Sequence, residues 1–268
     1  MGVAGKDATQ PQIAIIEHAD VKRMLLAQKS YCEGALALEL YCARLVDELH
    51  TGATDAAAQA ALLLEMLTPI AKSWPCEWCL EANSLAIQVL GGYGYTRDFP
   101  VEQYWRDNRL NMIHEGTHGI QALDLLGRKV VMDGGKGLAL LGSRIQATIA
   151  RASDTPPLAA HGQALTEAWQ QVLEATRSAW STGDPQEALA NATPYLQAFG
   201  HTVLAWVWLD VALCAVGTGP VDTQDPLRRG KLAACRYFFH YELPRTGAWL
   251  QPVRSRDPTC RQMDEAWF

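Results

Sequence analysis

The 268-residue chain is short of several things, and each shortage removes a class of function. No stretch alternates apolar and polar residues long enough to form a half-buried strand, so a sheet or barrel is not expected. There is no excess of positive charge: 23 Lys and Arg stand against 29 Asp and Glu, a formal charge of −6, which argues against a nucleic-acid surface. No apolar run reaches the ~20 residues that span a bilayer. The longest such run, Thr202 to Val216, is interrupted by Asp210 and reads as a buried helix, so no membrane association is expected. The first residues, MGVAGKDATQPQ, lack the basic region and apolar core of a secretory signal, and Lys6 occupies the position where N-myristoylation requires Ser or Thr. The seven cysteines, at 32, 42, 76, 79, 214, 235 and 260, are odd in number and scattered, the usage of reduced thiols in a cytoplasmic protein. One CxxC occurs, Cys76-Glu77-Trp78-Cys79, without the second pair that a structural zinc would need.

What is present is helical periodicity. Apolar residues recur as Val21, Met24, Leu25, Tyr31, Leu38, Cys42, Leu45, Val46 and Leu49, opening after Asp20, a plausible N-cap. A second stripe includes Leu63, Leu64, Leu67, Ile70 and Ala71, and Pro69 and Pro75 are expected to kink or split it. A third segment ends at Gly91-Gly92, a C-cap signal. Pro100 suits the first turn of a short helix. After a break at Met132 to Gly137, helical patterns return at about 138–152, 160–181, 186–217 and 229–243. The expected fold is therefore all-α, a helical bundle over 1–133 followed by a second helical domain over 134–268.

The most reactive-looking stretch is NMIHEGTHGIQ, which contains His114-Glu115-Gly116-Thr117-His118, literally H-E-x-x-H. A zinc protease carries this motif inside a helix with a further ligand. Here Gly116 costs a helix about 1 kcal/mol relative to Ala. Gln121 and Asp124 stand where the extended motif requires Gly and His, and the next glutamate is Glu167. No metal is expected. A second reading makes Thr117 the N-cap of the following helix and leaves Glu115 on the loop before it, beside small Gly116. Glu115 is then either a carboxylate aimed into a cleft or simply a favourable anion near a helix start.

Three motifs in order decide what the stretch resembles. They are Q-x-x-G-G-x-G-Y at Gln88 to Tyr95, Pro-Val-Glu-x-x-x-Arg-Asp at Pro100 to Asp107, and I-x-E-G-T at Ile113 to Thr117. Together they closely resemble the C-terminal helical domain of flavin-dependent acyl-CoA dehydrogenases, and a weaker resemblance extends upstream through IIEHADVKRMLLAQKSY. The second half resembles the extra helical domain of longer, bacterial-type members. The resemblance implies that Glu115 is the catalytic base removing the α-proton of an acyl-CoA thioester, with the β-hydrogen passing to FAD to give a trans-2-enoyl-CoA. It implies FAD contacts from Gln88, Gly91, Gly92 and Thr117, the glycines often serving a neighbouring subunit's cofactor, and substrate contacts from His114 and Gly116. Two departures stand out: Gly119 replaces a common Gln or Glu, and His114 sits where relatives carry an aromatic over the thioester. The implied partners are an acyl-CoA, an electron-transfer flavoprotein, and either further copies of the chain or a partner chain.

Members of that family place a helical domain and a β-domain ahead of this region, and neither is found in these 268 residues. The expectation is an incomplete flavin site that other segments must finish, with a non-catalytic helical oligomerisation or partner-binding module as the alternative.

Overall fold

A computed structural model describes residues 9, 11–217 and 225–268, and among these residues there is no strand. The first stripe becomes α1, Ala19–Thr51, whose buried face repeats at Met24, Tyr31, Leu38 and Leu45. Asp20 is not its N-cap: His18 holds that position and Asp20 pairs with Arg23 at 2.8 Å inside the first turn. Val46 and Leu49, which the periodicity placed with the buried residues, are exposed, as are Leu36 and Leu40.

Gly52 and Ala53 turn the chain into α2, Thr54–Leu90, which lies against α1 along its length. The expected split does not occur. α2 runs for 37 residues through both Pro69 and Pro75. Each proline removes one backbone donor, yet the buried face continues in register as Leu63, Met66, Leu67, Ile70, Trp74 and Trp78. Packing of that face offsets the lost bonds. α2 ends where expected, with Gly91 at φ +61°.

Shorter elements follow: α3 (Val101–Arg109), α4 (His118–Asp124) and a π-helical turn, Leu125–Lys129. That turn buries Lys129, which is neutralised by Glu65 of α2 and by Asp124. The expected break lies at Asp133, Gly134 and Gly135, all with positive φ.

Beyond it come α5 (Lys136–Ser153), α6 (Ala159–Ala179), α7 (Pro185–Leu189) and α8 (Ala192–Val216). α9 (Pro226–Tyr237) runs through a second π-helical turn, Phe238–Glu242, to α10 (Arg245–Ser255) and a short α11 (Thr259–Gln262). α8 organises this half. By length and composition it could cross a membrane, but it is buried against α1, α2, α4, α5, α6, α9 and α10. Gly200 lets it approach α2, since a Cβ there would lie 2.8 Å from Trp74 Cδ1. Trp208 reaches from α8 to donate to Ser30 O of α1 at 3.0 Å. One continuous apolar core therefore joins residues on both sides of the break.

Candidate active site

α2 carries Gln88 and supports both α3 and α4, and α4 packs on α8 as well. At the C-terminal end of α2, Gln88 is exposed and the chain leaves the helix through a 3₁₀ turn, Gly91–Tyr95. A Cβ at Gly91 or Gly92 would meet no atom within 4 Å. Packing inside the chain thus does not explain why glycine stands at Gly92. The two glycines leave a bare stretch of main chain facing outward. Tyr93 and Tyr95 beside them are 70% and 86% exposed.

The second part of the site is held by a polar chain that the motif reading did not include. Asn108 Nδ2 donates to Asn83 Oδ1 of α2 at 2.9 Å, and Asn111 Nδ2 donates to Asn108 Oδ1 at 2.9 Å. Lys72 Nζ donates to the carbonyl of Asn111 at 2.7 Å. The signal was available in the sequence as Asn108 and Asn111, three residues apart at a helix end. These bonds anchor the loop that leads to Glu115.

Glu115 has φ +51° and Gly116 φ +100°. For a non-glycine residue the left-handed conformation costs about 1–2 kcal/mol. The loop therefore spends free energy to turn the Glu115 side chain out, and both Glu115 and His114 are exposed. His114 and Glu115 precede α4, which begins at His118, so the H-E-x-x-H residues do not share a helix. No group of three or more His, Cys, Asp or Glu is placed to hold a metal among the described residues.

Thr117 occupies the N-cap position of α4 with extended backbone, φ −67° and ψ 164°, but its hydroxyl makes no capping bond. It is exposed and available to another acceptor or donor. His118, half-buried beneath the loop, has neither ring nitrogen hydrogen-bonded. Burial, with Lys72 and Arg109 nearby, pushes its pKa down, so the ring is neutral near pH 7.

The two α2 residues that anchor the Glu115 loop, Asn83 and Lys72, lie about 8 and 19 residues before Gly91, roughly 12 and 28 Å of helix. Around both parts of the site, apolar side chains face outward: Tyr104, Trp105, Leu110, Ile113 and Ile120 are all exposed. Among the described residues nothing encloses Glu115, so the arrangement is an open wall and not a closed pocket.

Comparison with known proteins identifies the wall. The family model described as acyl-CoA dehydrogenase, C-terminal domain, matches residues 5–130, and one described as acetyl-CoA dehydrogenase C-terminal like matches 141–264. A 3-methylmercaptopropionyl-CoA dehydrogenase of Ruegeria pomeroyi is 34% identical over 209 residues, covering 74% of this chain and 34% of that protein. A broad-specificity linear acyl-CoA dehydrogenase of Mycobacterium tuberculosis is 28% identical over 98% of this chain and 45% of its own length. The chain spans less than half the length of these curated relatives. Among solved structures, an acyl-CoA dehydrogenase complexed with FAD from Bacillus anthracis superposes with a TM-score of 0.71 at 16% identity, covering 91% of this chain and 44% of that one. Caenorhabditis elegans ACDH-11 in complex with C11-CoA gives 0.69 at 18% identity, over 93% and 41%. With its two helical halves matched in order and its loop motifs intact, the chain belongs to the acyl-CoA dehydrogenase family.

Proposed function

We propose that this chain supplies the base-bearing wall of a flavin-dependent acyl-CoA dehydrogenase, completed by segments outside these 268 residues. The observation that carries the reading is the backbone at Glu115 and Gly116. Two consecutive residues of positive φ, on a loop anchored by Lys72, Asn108 and Asn111, present a carboxylate outward; Gly116 leaves room for Gln121 Nε2, while Glu115 itself is exposed. Strain of this kind is retained where function requires it.

Glu115 takes the α-proton of a bound acyl-CoA thioester. A carboxylate is a weak base for so weak an acid, so the completed cleft must exclude water and hydrogen-bond the thioester oxygen. The amide of Glu115 is available for that bond: the loop's backbone bonds run from Ile113 and His114 to Leu110 and resume only at Gln121. His114 and Gly116 flank the carboxylate and face the substrate.

FAD fits the residues present. Gly91 and Gly92 offer main chain with open space in front of it, Gln88 adds an exposed amide, and Thr117 holds an unused hydroxyl. Bound there, FAD supplies the acceptor for the β-hydrogen. By the same family resemblance, Thr117 would serve one flavin and the Gly91-Gly92 turn that of a neighbouring copy. The exposed aromatic residues around both are the surface that the completing segments cover. An electron-transfer flavoprotein is the expected oxidant of the reduced flavin.

The test is spectroscopic and kinetic. Purified alone, the chain should be colourless; co-produced with the preceding domains of a relative, it should acquire a stoichiometric flavin band and form enoyl-CoA. Glu115→Gln should keep the flavin band and lose turnover. A coloured, fully active Glu115→Gln assembly would end the assignment. An assembly that forms but never binds flavin would instead favour a non-catalytic oligomerisation module.

A further inference from the structure

The second half of the molecule holds a buried polar cluster that the proposed chemistry does not use. His201 of α8 and Glu242 of the second π-helical turn are both fully buried. Trp74 Nε1–H of α2 donates to His201 Nδ1 at 3.0 Å. A ring nitrogen that accepts carries no proton, so the neutral imidazole has its hydrogen on Nε2. That nitrogen faces Glu242 Oε2 at 3.6 Å, too long for a good hydrogen bond.

The cluster is enclosed. The His201 ring lies edge-on to Trp78 at 4.6 Å and to Trp249 at 4.7 Å between centroids, with Trp74 and Phe238 completing the cage. Every element packed on it contributes a group. From α1 comes Tyr31, whose hydroxyl lies against Glu242. From α2 comes Glu81, within electrostatic reach of Glu242. α9 adds Tyr237, whose hydroxyl donates to Glu242 Oε1 at 3.3 Å, with Arg23 of α1 beside that tyrosine. α10 adds Arg245, 3.3 Å from Glu242 Oε2 and stacked over the Trp78 ring.

We propose that Trp74, His201, Glu242 and Arg245 form a proton-operated latch that holds α2 of the first half to α8 and α10 of the second, and opens in mildly acidic solution. A proton arriving on His201 Nδ1 would face the Trp74 N–H, donor against donor. The bond from α2 would be lost, and the imidazolium would be drawn to Glu242. Burial disfavours the charged ring and holds the His201 pKa below its ordinary value, the attraction of Glu242 being too weak to reverse this. Burial alone would raise Glu242, but His201, Arg245 and Tyr31 together outweigh it and hold its carboxyl below the usual range. Both shifts have the same sign. The unfolded chain binds these protons at a higher pH than the folded one, so the latch is intact above about pH 6.5 and weakens as pH falls.

The test uses the full chain, with amide hydrogen exchange of α8 and α10 and the emission of Trp74, Trp78 and Trp249 followed from pH 7.5 to 4.5. In the wild type, local opening should grow by up to about tenfold per pH unit below pH 6.5 as one proton is taken up. His201→Gln keeps a donor and an acceptor but takes no proton. It should remove that rise and leave only the component nearer the carboxylate range. Equal pH dependence in wild type and His201→Gln would overturn the latch. Should the variant not fold, the histidine ring resonances of the wild type decide. Titration of His201 below 6.5 in step with opening supports the latch; titration at or above 6.5, or with α8 protection unchanged, contradicts it.

Discussion

The edge that carries Glu115 and the seam around α8 handle polar groups in opposite ways. At the edge, Glu115, His114, Gln88 and Thr117 are exposed, and the Thr117 hydroxyl makes no capping bond. At the seam, Trp74, Trp206, Trp208, His201 and Glu242 are buried, and the three indole N–H groups each find an acceptor: His201, Thr148 and Ser30. The seam is held mostly by contacts within the chain, although Trp78 Nε1 and His201 Nε2 are buried there without a hydrogen-bond partner. At the edge Gly91 ends α2 and Gly116 leaves room for the Gln121 side chain, but Gly92 has no packing neighbour and the exposed Glu115 holds a positive φ. The strain at Glu115 is what motivates the proposed cleft there.

Four substitutions test that contrast, in decreasing order of expected effect on stability. Trp208→Ala, at a nearly fully buried indole, should cost about 3–5 kcal/mol in urea unfolding. Gly200→Val would push a side chain into Trp74 and should cost about 1–3 kcal/mol, with Trp74 emission altered. Gly91→Ala meets no neighbouring atom, so its cost comes only from the backbone, φ +61° and ψ −139°, about 1–3 kcal/mol; flavin affinity of the completed assembly should fall with it. Glu115→Gln at the exposed edge should change stability by less than about 0.5 kcal/mol, yet lower turnover by about 10²–10⁴-fold. Equal stability costs at Trp208 and Glu115 would erase the distinction between seam and edge.

Much of this was legible in the sequence, unevenly. The helical stripes, the stop at Gly91 and the break at Asp133 to Gly135 follow from local rules, and the structure has each of them. The family followed from three short motifs whose residues lie mostly at the surface. The continuity of α2 through Pro69 and Pro75 was not legible, since local rules count the lost bonds but not the tertiary burial that offsets them. Nor was the outward placement of Val46 and Leu49, since the helical stripe alone does not say which of its members the neighbouring helices cover. His201 gave no signal at all: a single histidine in an apolar helix acquires its role only when Trp74 and Glu242, 127 positions before and 41 after, are folded against it.

The central claim, that Glu115 is a base awaiting the rest of its cleft, is tested most directly by proton exchange. The chain, assembled with the domains that complete it and loaded with flavin, is incubated with an acyl-CoA in deuterated water, and deuterium entering at the α-carbon is followed by mass spectrometry. The wild type should exchange that position, and Glu115→Gln should lose the exchange while binding flavin and acyl-CoA as tightly as before. Exchange at the wild-type rate in Glu115→Gln would contradict the account.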